Sequence, residues 1–285
     1  MAPGGTRMTP HPFLDAAGRL RSGWWIGIFF AVLAGLLLPL LLLARGRGGE
    51  VPLVEQLAVV VTASVICQAL RREPASRLVG PLDGRWPREF LLGGLGGAIL
   101  MALPALALGL AGVVRWRTDA GAGAALLPEL ALLAAAAATE ELLFRGFLFR
   151  RLVDGLGAWP AQLLIAALFL LTHSEALRGL GPLGVIAGAN IFLASILFGL
   201  AYLRTGSLAM PLGLHLAANV AQGPVLGFGV SGTGGASMLV PSFSGAPDWL
   251  YGGAFGLEAS LPGLACLVAL LAVLRGWRPY RAPTP

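Results

Sequence analysis

The feature that most constrains this chain is the recurrence of apolar blocks about twenty residues long, the length a helix needs to cross roughly 30 Å of hydrocarbon. Residues 24–44, 51–70, 90–114, 126–149, 158–172, 183–203, 207–221 and 251–274 form eight such blocks, the fifth and seventh shorter than the rest. Over 285 residues the chain is 56% hydrophobic and only 12% charged. A soluble domain carries about twice that share of charge. A soluble globular protein, a disordered chain and a secreted disulfide scaffold are therefore excluded together. The blocks predict an all-α polytopic membrane protein, with about eight transmembrane helices in one bundle and any active site inside the membrane. A tail of residues 1–22, a single membrane-embedded domain over 23–275 and a tail of 276–285 are expected.

Charge adds orientation. All twenty basic residues are Arg. With the N-terminus placed inside, fifteen of them fall on the side of the termini, many in the 71–88 connection with its three prolines. Five (Arg45, Arg47, Arg115, Arg117, Arg178) fall on the other. The positive-inside bias thus predicts both termini in the cytoplasm and an integral, multi-pass protein of a bacterial plasma membrane. Arginines at membrane boundaries also contact anionic membrane lipids. No basic stretch carries the groove-reading or stacking elements of a nucleic-acid binder, so no nucleic-acid partner is expected. Cys67 and Cys266 both lie in apolar blocks and read as small apolar residues rather than a disulfide or metal pair.

Charged and titratable groups inside apolar spans cost a few kcal/mol each and are functional candidates by default. Glu140 and Glu141 follow the alanine run 134–138 and Thr139, and two of the three histidines, His173 and His215, lie in or at the edge of spans. Glu141 and Arg145 stand i,i+4 with the acid first, the favourable order for an ion pair. Glu140 is about 100° further round the helix and free to face elsewhere. Phe169 and His173 are one turn apart, as are His215 and Asn219, whose side chains share a face. At about 1.5 Å per residue, Glu140, His173 and His215 lie roughly 15, 22 and 16 Å from the cytoplasmic end of their helices. Three helices bring an acid and two imidazoles to similar depth.

In their order along the chain, Glu140-Glu141-x-x-x-Arg145, Phe169-x-x-x-His173 and His215-x-x-x-Asn219 resemble the motifs of the CAAX protease and bacteriocin-processing family of intramembrane proteases, also called Abi. The resemblance covers about 125–222, including the 199–208 run before His215; the first three helices carry no motif. It implies an endopeptidase acting on a membrane-associated, lipidated or CAAX-type protein or peptide. It also implies roles: Glu140 as general base, His173 beside it holding the water, His215 and Asn219 as oxyanion donors, and Glu141–Arg145 as a supporting ion pair. Phe169 would wall the site. The residue chemistry agrees, since a carboxylate in a low-dielectric site is a competent base and two N–H donors on one face suit an oxyanion.

Zinc stays open at this stage. The residues dictate no cofactor and leave a divalent metal, zinc, as an option: Glu140, His173 and His215 are the candidate ligands of a His₂Glu site, although no H-E-x-x-H is present. A proton- or ion-coupled transporter using the same three residues is the alternative, and an inactive scaffold or immunity protein a weaker one. Asn190 and Glu258 are expected to be packing or helix-end residues. The substrate sequence is not encoded in the chain.

Overall fold

The computed structural model describes residues 12–15, 17–46 and 49–277. The expected tails therefore fall largely outside the described residues, as do Arg47 and the C-terminal arginines Arg278 and Arg281. Each apolar block is helical over most of its length. The first three are α1 (Ser22–Arg45), α2 (Leu53–Leu70) and α3 (Arg85–Leu110). A 3₁₀ turn at Ala75–Leu78 lies in the connection between α2 and α3. After α3 come strand β1 (Val114–Thr118) and α4 (Gly123–Glu141). Next are α5 (Leu148–Leu156), α6 (Ala158–Thr172), the short α7 (Ser174–Leu177) and α8 (Pro182–Thr205). The chain closes with α9 (Ala209–Val220), β2 (Leu239–Phe243), the one-turn α10 (Asp248–Tyr251) and α11 (Leu261–Gly276).

Four helices, α1, α2, α3 and α8, are long and apolar enough to span a membrane by length and composition, and α6 and α11 are shorter apolar helices. The apolar surface of α1 is almost entirely unburied, as a lipid-facing helix requires. The fold is thus an all-helical membrane-type bundle with a minor sheet.

Three details depart from the sequence reading. The block at 251–274 is not one span. Gly252 and Gly256 adopt left-handed φ of 90° and 97°, a region that favours glycine, and they break the chain into α10, two 3₁₀ turns and α11. The stretch 223–248 between the last two apolar blocks contains β2, which pairs antiparallel with β1, Trp116 opposite Pro241. And α3, which carries no chemical motif, packs its backbone directly on α9. A Cβ built at Gly93 or Gly97 would stand 2.1 Å from the carbonyl oxygen of Met210 or Leu214, and one at Gly213 would stand 2.1 Å from that of Phe90. Small residues spaced four apart let membrane helices approach this closely. The contact fixes the position of α9, the helix that bears His215.

Candidate active site

Helix α4 delivers Glu140 and Glu141 in its last turn and passes into a π-helical turn at Leu142–Phe147, in which Gly146 leaves helical geometry at ψ −111°. Helix α9 ends the same way: Asn219 is followed by a π-helical turn at Ala221–Val225. Single π turns inside α-helices recur at functional sites because they re-aim side chains. Here the first turn places Arg145 back over Glu141.

At the core, Arg145 is fully buried with 0% of its side chain exposed, and Glu141 is 1% exposed. Arg145 Nη1 donates to Glu141 Oε1 at 3.1 Å, and Nη2 donates to the Ser195 carbonyl at 3.0 Å and Oγ at 2.8 Å on α8. The guanidinium also sits 5.0 Å from the Phe169 ring centroid and 5.2 Å from that of Phe198. A charge removed from water survives only when paired and hydrogen-bonded, and this one is both. It lies at the junction of α4, α6 and α8.

The expected Glu141–Arg145 pair is present, and it does more than hold a helix end. Glu141 Oε1 also lies 3.0 Å from His215 Nδ1. With an ionised carboxylate as acceptor, Nδ1 carries the hydrogen, and Nε2 is left facing Glu140, whose Oε2 is 3.8 Å away. Phe198 stacks on the imidazole at 4.8 Å with the planes 13° apart. His215 is therefore fixed from two sides by Glu141 and Phe198. The sequence reading placed His173 beside Glu140. The structure sets His215 closest to that carboxylate and holds His173 through Nδ1 on the Phe169 carbonyl at 2.8 Å.

Glu140, His173, His215, Asn219 and Phe169 all line one cavity of about 260 Å³. Its remaining walls are mostly apolar, from α2, α3, α4, α8 and α11, with Leu132, Leu133 and Met101 among them. Glu140 is 31% exposed into this space, against 1% for its neighbour Glu141. The Asn219 amide has no hydrogen-bond partner among the described residues, so its N–H groups are available to the cavity.

Two residues that the sequence assigned to packing belong to the same wall. Asn190 lines the cavity and donates weakly to the Ser260 carbonyl at 3.4 Å. Glu258 lines it as well, its Oε2 accepting from Ser231 N at 3.0 Å and Ser231 Oγ at 2.9 Å. Ser231 holds a left-handed φ of 48°, unusual outside glycine. Ser195 and Phe198 were missed, and Glu258 was assigned to packing, because each is a single residue without a motif partner in the sequence. For Ser195 and Glu258 the only signal was a polar group within or beside an apolar block; Phe198 gave none. The glycines at 93 and 97 did carry a readable spacing.

The candidate zinc donors Glu140, His173 and His215 share a cavity without being drawn into a ligand cluster. Among the described residues no three His, Cys, Asp or Glu side chains are grouped so as to hold a metal; Nδ1 of His173 and of His215 is held by a protein oxygen, which leaves Nε2 as the atom each could offer to a ligand. No step below is routed through a metal. Cys67 and Cys266 are free.

Fold and site together define a helical membrane protein with a carboxylate–arginine–imidazole network opening on a small, largely apolar cavity. Residues 122–221 match the model of the family described as Type II CAAX prenyl endopeptidase Rce1-like, a family of membrane proteases, and the resemblance read from the three motifs is shown over that segment. The match spans α4 to the end of α9. No curated protein and no solved structure gives a match.

Proposed function

We propose that the protein is an intramembrane endopeptidase that hydrolyses a peptide bond in a membrane-associated substrate, of the prenylated CAAX type that the matched family description names. The observation that carries this reading is the convergence of Glu140, His173, His215 and Asn219 on one cavity. In the proposed mechanism Glu140, partly exposed and without a strong ion pair, takes a proton from a water held between it and His173. The hydroxide attacks the substrate carbonyl. The developing oxyanion is received by the Asn219 amide N–H and by Nε2–H of a doubly protonated His215, whose other nitrogen donates to Glu141. Donors preset in a water-poor cavity act where charge develops and need no rearrangement. Glu140 then returns its proton to the leaving amine.

We further propose that both termini face the cytoplasm. His173, at the far end of α6 from Arg150 and Arg151, and the 231–233 loop then place the cavity toward the outer half of the membrane. No observation favours the transporter reading. The experiment is comparative analysis of protein C-termini and released peptides in cells carrying the wild type or Glu140→Gln. Peptides present only with the wild type are expected. Identical profiles, with both proteins inserted to equal levels, would overturn the proposal.

A further inference from the structure

At the opposite end of the bundle from the candidate active site lies a second, larger cavity of about 1410 Å³, between the start of α1, the end of α2 and α5. Seven arginines and three carboxylates line it. Each carboxylate is already taken by an arginine on its own segment: Asp15 by Arg19, Glu73 by Arg77 and Asp154 by Arg151. Arg21, Arg71, Arg72 and Arg150 remain without an ion pair among the described residues, although Glu73 and Asp154 are near enough to attract Arg71. Arg150 donates to the Arg77 carbonyl, which leaves its charge uncompensated.

Arg71 is the most telling of the four. Its guanidinium lies 5.2 Å from the Trp25 ring centroid, and its Nε is buried with no hydrogen-bond partner. Desolvation lowers its pKa against the pull of Glu73 and Asp154. A buried donor left without an acceptor is unfavourable, more so when it is charged. Arg72 beside it holds a left-handed φ of 58°, a strain that persists where the surroundings demand it. An anion with several acceptor oxygens answers each of these features at once.

Position selects the kind of anion. The cavity sits where α1 begins and α2 ends, so its rim is the boundary between the apolar spans and their polar flanks. Trp24 and Trp25 line it, as aromatic residues do at the headgroup level. The adjoining surface of α1 is apolar and unburied, a track for acyl chains. From this juxtaposition of unpaired arginines, interfacial tryptophans and a lipid-facing helix, we propose that the cavity binds the phosphate headgroup of an anionic phospholipid. Arg21, Arg71, Arg72 and Arg150 are its contacts. The proposal does not depend on the proteolytic reading.

The test is thermal unfolding of the detergent-purified protein titrated with phosphatidylglycerol, with phosphatidylcholine, or with inorganic phosphate, backed by native mass spectrometry of retained lipid. Phosphatidylglycerol is expected to raise the midpoint in a saturable way and to remain bound, whereas phosphatidylcholine is not. Arg71→Gln combined with Arg72→Gln should weaken the phosphatidylglycerol response at least tenfold. If that double variant is unstable, Arg21→Gln should still lower lipid retention. Inorganic phosphate matching the lipid response at equal concentration would assign the site to a free anion. Equal responses to the two lipids, or undiminished retention in the variants, would overturn it.

Discussion

Glu140 and Glu141 are adjacent, identical in type and placed in the same helical turn, yet the bundle gives them opposite environments. Glu141 points into a sealed layer, bonded to Arg145 and His215, with one oxygen left buried and unpaired. Glu140 opens on the cavity and makes no contact closer than 3.8 Å with an ionic partner. The comparison teaches that a site of this kind has two parts. A buried charged layer spends its hydrogen bonds holding one imidazole in place, and a cavity-facing carboxylate keeps its lone pairs free for chemistry. On the proposed reading, the first part bears mainly on stability and the second on turnover.

The largest effect should separate them on the catalytic side. Glu140→Gln keeps shape but cannot accept a proton, so turnover is expected to fall at least a hundredfold, within the roughly 10²–10⁴ range of a general base, with the unfolding midpoint nearly unchanged. Single-turnover cleavage and thermal unfolding on the same preparation check this. A variant keeping more than about a tenth of wild-type activity would remove Glu140 from the role.

Next in size is Asn219→Ala. Loss of one oxyanion donor lowers kcat by roughly 10²–10³ and leaves substrate binding nearly unchanged. A change confined to KM would make Asn219 a binding residue instead.

On the buried side, Arg145→Ala and Glu141→Ala each strand a charge in a low-dielectric layer, at a cost of about 3–5 kcal/mol. The double variant should recover stability relative to the worse single one, measured by denaturation in detergent. Strict additivity would break the comparison, because the two groups would then not act as a unit. Since Glu141 also orients His215, the double variant is expected to remain slow even where it is stable.

The smallest expected effect is that of a chelator. Prolonged dialysis against it should leave turnover within about a factor of two, with no stoichiometric metal by elemental mass spectrometry; a two-His, one-Glu zinc centre would instead lose its activating ion. Activity lost to the chelator and restored by zinc would overturn the metal-free mechanism.

Much of this was legible in the sequence. Apolar blocks of spanning length dictate helices because backbone groups in hydrocarbon have no partner but one another. The i,i+4 spacing of Glu141 and Arg145, and of His215 and Asn219, assigns each pair to one helix face before any packing is known. What spacing along one helix cannot carry is the relation between helices. Only the tertiary structure decided that His215 rather than His173 stands next to the two glutamates, and that Ser195 and Phe198 of α8 complete the surroundings of Arg145 and His215. It also decided that Glu258, more than a hundred residues from Glu140, shares its cavity. The reason is geometric. Helical periodicity fixes which residues share a face, whereas which faces meet depends on how closely backbones approach, as at Gly93 and Gly97 against α9, and on where charges removed from water find their partners.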